Sequence, residues 1–246
     1  MSHIHGLGLD PADQRLYVAT HEGVYTPDAE GEPELVGDSK DDFMGFPVAG
    51  DKTFYASGHP TSGGNKARQE HRPGQDLEVP VPVRRVRLPR SDFADGTVYG
   101  YDATNGLVRT TKNGLSWRDG AQLEALDIAV SPKDSGLVLA TTAGGVPRSS
   151  DGGKTFAQGK GPVMAFLSWS AKGTLYGIDS SGGLNRSTDR GTRWTKVSTV
   201  PGDQPQALAS VDAEHVLAAS QTGVYESKDG GKTFAERLAV ASSGGH

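Results

Sequence analysis

The feature that most constrains this chain is a short motif that returns at a fixed step. It reads Ser149-Ser150-Asp151-Gly152-Gly153-Lys154-Thr155-Phe156, then Ser187-Thr188-Asp189-Arg190-Gly191-Thr192-Arg193-Trp194, then Ser227-Lys228-Asp229-Gly230-Gly231-Lys232-Thr233-Phe234. A worn copy, Thr110-Thr111-Lys112-Asn113-Gly114-Leu115-Ser116-Trp117, precedes them. The central positions 112, 151, 189 and 229 lie about 40 residues apart, the length of one four-stranded propeller blade. Each copy has the chemistry of a tight turn. The Asp side chain caps backbone N–H groups, the Gly supplies a positive φ, and the aromatic packs between neighbouring blades. The spacing therefore predicts an all-β propeller. Asp151, Asp189 and Asp229 are expected to be structural, and Trp117, Phe156, Trp194 and Phe234 to be plugs between blades. In a chain of 246 residues, a step of about 40 fits six times into one closed ring.

The motif is that of the Asp-box, or BNR, repeat, and the chain resembles the sialidase-like and photosystem-assembly-factor-like Asp-box propellers. Its opening His3-Ile4-His5-Gly6-Leu7-Gly8-Leu9-Asp10-Pro11 goes further. With Tyr17-Val18-Ala19-Thr20-His21-Glu22-Gly23 and Ser57-Gly58-His59-Pro60, it is similar to actinobacterial exported proteins labelled glycosylhydrolase or BNR-repeat protein. The resemblance covers nearly the whole chain except residues 64–91. It implies an exported or cell-surface protein, and the label implies a glycan hydrolase, although a shared fold carries no chemistry by itself. Met1 stands two residues before the first expected strand, so no signal peptide is expected in this chain.

Composition sets limits on partners. Gly is abundant at 34, as many short strands and tight turns require. A formal net charge of −5 with both signs mixed argues against nucleic acid. No apolar run approaches the ~20 residues of a membrane-spanning helix. Cys is absent, which removes disulfides, thiolate metal sites and a Cys nucleophile.

Inner strands of a propeller are apolar and rich in small residues because they crowd a narrow axis. First strands of blades are expected at His3–Leu9, Asp42–Val48, Glu124–Val130, Pro162–Trp169 and Gln204–Ser210. Second strands are expected at Leu16–Thr20, Thr53–Ser57, Val98–Tyr101, Val138–Thr141, Leu175–Ile178 and Val216–Ala219. The sixth first strand should lie near residue 88. Around it, residues 66–91 break the repeat: they are rich in Arg and Pro and carry no copy of the motif. Read one base out of frame, Gln69–Pro80 can spell Ser-Thr-Asp-Pro-Gly-Lys-Thr-Trp, a full copy about 40 residues before Lys112. A frame displacement and a genuine basic insertion both account for the stretch. The expected fold is thus a six-bladed β-propeller, a single domain over residues 1–246, disrupted at the junction of blades 2 and 3. Residues 240–246 should form a flexible tail. The first repeat opens with its inner strand and the last ends with Thr233–Leu238 as its outer one. The ring should therefore close by blade packing, without exchange of a strand.

In such a ring the starts of first strands and the ends of second strands meet on one face. His3, Asp42, Glu124, Pro162 and Gln204 share one level there. His5, Met44, Leu126, Met164 and Gln206 lie two residues further in, on the same side of the strand. The second-strand ends add His21, His59, Asp102, Thr142, Asp179 and Ser220. Four of the seven His thus converge on one mouth. Ligand-binding candidates are His3, His5, His21, His59, Asp102 and Asp179. One chemistry is metal binding. Imidazole and carboxylate suit Zn, Cu or Ni, and a thioether favours Cu, so His5, His59 and Met44 are the candidate ligands and Cu or Zn the implied ion. Against that stands a simpler reading, in which the histidines cap strand ends and line a wet channel. A second chemistry is glycoside hydrolysis by a carboxylate pair, for which Asp42 and Glu124 are the catalytic candidates. Asp102 and Asp179 follow second strands in near-identical contexts, which also fits turn capping. Sialidase chemistry is disfavoured: Arg109, Arg148 and Arg186 fall beside the motif on outer strands, and no Arg falls at the mouth. The expected function is a non-catalytic binding or assembly module. It would take a small molecule, glycan or protein at a His-rich mouth, with glycoside hydrolysis as the alternative.

Overall fold

The computed structural model describes residues 3–37, 40, 42–45, 48–50, 53–59, 66–71, 90–114, 116–159 and 161–240; residues 44–45, 48–50, 53–59, 66–71 and 90–91 are described in backbone alone. The strands form antiparallel sheets, met in chain order. The first blade holds β1 (Ile4–Leu9), β2 (Leu16–Thr20), β3 (Gly23–Pro27) and β4 (Pro33–Leu35). Next come β5 (Asp42–Gly45), β6 (Val48–Gly50), β7 (Thr53–His59) and β8 (Lys66–His71). A further blade holds β9 (Arg90–Ala94), β10 (Thr97–Asp102), β11 (Leu107–Thr111) and β12 (Arg118–Gln122). It is followed by β13 (Ile128–Ser131), β14 (Asp134–Ala140) and β15 (Arg148–Ser149). Then come β16 (Phe166–Trp169), β17 (Leu175–Ile178), β18 (Gly183–Ser187) and β19 (Thr195–Thr199). The last blade is β20 (Pro205–Ser210), β21 (Val216–Ser220), β22 (Gly223–Ser227) and β23 (Ala235–Ala239).

Five of these sheets follow one path, each strand pairing with the next from the axis outward. The blade of β13–β15 has three strands, and an isolated bridge between Arg148 and Ala157 marks where a fourth begins. The sheet of residues 42–71 departs from that path. Its strand β7 pairs with β5, β6 and β8, and among the described residues no strand pairs with the outer side of β8. The expectation of a six-bladed propeller is thereby corrected: the ring has five blades, and an incomplete sheet occupies the place between the first blade and the blade of β9–β12. The cause lies in the sequence after β8, which carries no copy of the motif to turn a third strand into a fourth. The sixth first strand, expected near residue 88, is found just after it. It is β9, paired with β10 from Thr97↔Ala94 to Tyr101↔Arg90. Residues 72–89, which hold most of the anomalous stretch, and the tail at 241–246 lie outside the described residues.

Second strands read as unbroken apolar runs because both of their faces are covered by neighbouring sheets. Every residue of β2 and of β21 is buried. At the closure of the ring, Ile4, Leu7, Leu9, Leu16 and Val18 of the first blade pack with Leu217, Ala219, Val224 and Leu238 of the last. Each fully buried Leu, Ile or Val there stabilises the seam by roughly 1.5–3 kcal/mol. The two blades share no strand, as expected.

A second set of contacts runs around the axis. Asp92 on β9 accepts a hydrogen bond from the Val130 N–H on β13 at 2.7 Å. Asp127, just ahead of β13, accepts from the Leu167 N–H on β16 at 2.8 Å. Ser168 Oγ on β16 accepts from the Ser210 N–H on β20 at 2.8 Å, and Gln206 Oε1 on β20 accepts from the Ile4 N–H on β1 at 2.8 Å. The inner edge of a blade presents backbone donors with no further strand to pair them. These side chains supply the missing acceptors and fasten each inner strand to its neighbour. Burial pushes the Asp92 carboxyl up to about 6 from its ordinary 3.8; the N–H groups of Val130 and Phe93 hold it down, and nearby Asp127 adds to the rise.

Candidate functional site

The repeated turns sit at the end of the ring away from the mouth, and their aspartates are used locally. Asp229 accepts hydrogen bonds from the N–H groups of Lys232 and Thr233 at 2.9 and 3.0 Å, from Thr233 Oγ1 at 2.6 Å and from Ser227 Oγ at 2.8 Å. Asp151 repeats the set with Lys154, Thr155 and Ser149. The Thr hydroxyl, then the backbone N–H groups and the Ser hydroxyl, hold both carboxyls far below the usual range. At Asp189 the Thr place is taken by Arg193, whose N–H and Nε both donate to the carboxylate. In the worn copy Asn113, not Lys112, takes the Asp place and accepts from the Ser116 N–H. The aromatics pack between blades: Phe156, Trp194 and Phe234 each join a different cluster that spans two sheets.

The mouth lies where the inner strands begin. His5 is on β1, His21 is in the two-residue turn between β2 and β3, and Asp42 opens β5. Thr20 fixes the turn: its hydroxyl donates to the Gly23 carbonyl and accepts from the Glu22 N–H. His21 Nδ1 meets Asp42 Oδ1 at 2.6 Å, and His21 Nε2 meets His5 Nε2 at 2.9 Å. With Nδ1–H donating to the carboxylate, His21 Nε2 is the acceptor and His5 Nε2–H the donor. The His5 and His21 rings are 4.2 Å apart at 73°, and the His3 ring lies 5.5 Å from that of His21. One donor atom from each of His5, His21 and Asp42 falls within 4.8 Å of the others. The side chains of His21 and Asp42 are 40% and 27% exposed, so the cluster is open to solvent. Two imidazoles and a carboxylate form a donor set for Zn, Cu or Ni.

The other candidates are distributed differently. His59 stands opposite Asp42 in the β5–β7 register, which brings its backbone to the mouth. The side chains of His59 and Met44 lie outside the described residues. Asp102 is fully buried and caps its own turn, accepting from the N–H groups of Thr104 and Asn105 and from Asn105 Nδ2. Asp179 does the same with Ser181 and Gly183. Burial raises its carboxyl, but the Ser181 hydroxyl and the two N–H groups outweigh that and leave it lowered. Both carboxylates are thus engaged in the turns that follow their strands. Met164 is 1% exposed and packs with Leu167, Leu175 and Trp194. Glu124 is exposed in the loop between β12 and β13 and is not one of the three residues of that cluster. The contact that sequence reasoning missed is His21 to Asp42. The signal was their shared level at the mouth, but the contact joins neighbouring sheets and has no local spacing to reveal it.

No protein-family model matches this chain, and no curated protein does. Solved structures match it in shape. The GH74 xyloglucanase from Xanthomonas campestris is 16% identical over 96% of this chain with a TM-score of 0.58, and the chain spans 45% of that enzyme's length. YCF48 bound to a D1 peptide is 17% identical, covering 96% of this chain and 81% of its own, with a TM-score of 0.56. A gluconolactonase from Xanthomonas campestris is 12% identical, covering 89% and 84%, with a TM-score of 0.69. Likeness at such identities establishes the propeller fold and nothing of the chemistry. No helix among the described residues is long and apolar enough to cross a membrane.

Proposed function

We propose that this protein is a non-catalytic binding propeller of the Asp-box type, acting outside the cytoplasm, whose mouth holds a metal ion through the His5, His21 and Asp42 cluster. The ion and the surrounding histidines would receive a small molecule, a glycan or a segment of a protein. The observation that carries this reading is the cluster itself: two imidazole nitrogens 2.9 Å apart, backed by a carboxylate at 2.6 Å, on an open face. The peptide seen on YCF48, a propeller of similar shape, supports a binding role for that architecture. The test is thermal. A ligand of the folded state alone raises its stability by mass action, by about 2.7 kcal/mol at a hundredfold excess over Kd. Zn²⁺ or Cu²⁺ added to chelator-stripped protein should raise the melting temperature, and the His5→Ala, His21→Ala double variant should lose the rise. If neither metal moves the melting temperature of the intact protein, the reading fails.

The second reading is glycoside hydrolysis through Asp42 and Glu124, favoured by the xyloglucanase of similar fold. Such chemistry needs two carboxyl groups roughly 5–10 Å apart across a cleft. Here Asp42 is engaged by His21. Loss of reducing-sugar release in both Asp42→Asn and Glu124→Gln would favour this reading; no release by the intact protein would count against it.

A further inference from the structure

We propose a division of labour within the cluster: His5 and His21 bind the ion through their Nε2 atoms, and Asp42 is a positioning residue that fixes His21 from the neighbouring sheet without touching the ion. This rests on the metal reading above and says how the site is built.

His21 has two ring nitrogens, and Asp42 Oδ1 engages Nδ1 at 2.6 Å. That leaves Nε2 as its metal-binding atom. A carboxylate on the far nitrogen of a ligating histidine sets its tautomer, holds the ring and raises its basicity. His5 already points its own Nε2 at the same place, 2.9 Å away. The His5 Nε2–H lies between the two nitrogens; when a cation enters, His5 takes its other neutral tautomer, with the proton carried on Nδ1, and both Nε2 lone pairs face the ion. Two nitrogens on a tetrahedral Zn²⁺ at about 2.0–2.1 Å stand roughly 3.3 Å apart. The rings therefore need to part by only a few tenths of an ångström. His3 stands beside His21 with its ring 5.5 Å away, on a backbone held at φ 51, and among the described residues it offers an imidazole for a third position. Imidazoles without thiolates suit Zn²⁺ and Cu²⁺.

The three side chains come from two sheets. His5 and His21 belong to the first blade, and Asp42 belongs to the incomplete sheet. Between those sheets Tyr17, Ala19, Val24 and Phe43 pack together. The ion thus rests on the first blade, while the residue that aims its ligand is delivered by the adjoining sheet. Metal affinity then depends on that seam being closed, and metal binding in turn favours closure.

The experiment is a calorimetric Zn²⁺ titration of chelator-stripped wild-type, Asp42→Asn, Asp42→Ala and His5→Ala proteins, with Cu²⁺ electron paramagnetic resonance on each. The wild type should take up one ion. Asp42→Ala should bind it about 10–100-fold more weakly, the usual loss when such an outer partner is removed. Asp42→Asn keeps a carbonyl oxygen for the His21 N–H and should fall less; it also preserves the test if Asp42→Ala does not fold. The nitrogen hyperfine pattern of the wild type should persist in both Asp42 variants and diminish in His5→Ala. Asp42→Ala affinity within about threefold of wild type, or a changed Cu²⁺ ligand set in Asp42→Asn, would overturn the division of labour while leaving the metal reading in place. A wild type that binds neither ion would end both.

Discussion

Asp229 and Asp42 are both aspartates at the edges of strands, and the difference between them organises the molecule. Asp229 accepts from Ser227, Lys232 and Thr233, all within four residues of it, and its turn is complete as soon as that segment is made. Asp42 meets His21, a residue of another sheet, and its contact exists only when two sheets lie side by side. The repeated turns are therefore local devices that build blades, whereas the mouth is assembled by the ring. Substitutions in the first region should change stability without touching the metal, and substitutions in the second should do the reverse.

The largest expected effect is in the repeat. Gly231 has φ 84, and a side chain there would press on the fully buried Leu184. Gly231→Val should lower folding stability by about 2–4 kcal/mol, through backbone strain and overpacking together. Denaturant midpoints measure the loss, and the fraction still folded should bind Zn²⁺ as the wild type does. An unchanged midpoint would mean that the turn is not what fixes the blade.

Asp92 should come next, with a pH dependence opposite in sign to that of the repeat. Its folded value, about 6, lies above its ordinary 3.8. Its contribution to stability is therefore fully present below pH 3.8 and is lost as pH rises through 6, a fall on the order of 3 kcal/mol. Asp229 and Asp151 are held below their ordinary value, so their contribution is present above it and disappears only in acid. Stability measured from pH 4 to pH 7 should show the Asp92 slope in the wild type and lack it in Asp92→Asn. The same slope in both would take Asp92 out of the account.

Asp229→Ala should lower the melting temperature by a few degrees and leave the Zn²⁺ affinity unaltered. If it abolished metal binding while the protein stayed as stable as before, the separation of the two regions would be wrong. Glu124→Gln should have the smallest effect of all. It is exposed and apart from the cluster, so neither the melting temperature nor the metal titration should move.

The propeller was legible because each repeated turn is complete within eight residues: Ser149, Asp151, Gly153 and Thr155 reveal their pairing by spacing alone. The second strands followed from the same periodicity, and β2 and β17 lie where the pattern puts them, whereas β13 and β16 begin at Ile128 and Phe166, four residues after the starts expected at Glu124 and Pro162. The number of blades was not legible in that way. A step of about 40 residues divides the chain into six, but the sequence that follows the sheet of 42–71 carries no copy of the motif. The axial fastenings were hidden for a different reason. Asp92, Ser168 and Gln206 are single polar residues in unlike contexts, and each is explained only by the unpaired N–H of the strand beside it. At the mouth, His5, His21 and Asp42 could be assigned to one face by strand level, but the distances among them come from the packing of the first blade on its neighbour. Asp102 and Asp179 shared that face too, yet their own turns absorb them.

The central claim is that His5 and His21 converge on one metal ion at the mouth. Zinc K-edge X-ray absorption on the intact protein loaded with one equivalent of Zn²⁺ tests it most directly. The account predicts at least two imidazole nitrogens at about 2.0–2.1 Å, and fewer in the His5→Ala, His21→Ala double variant. A first shell of oxygens alone, or the same imidazole signal in the double variant, would contradict it.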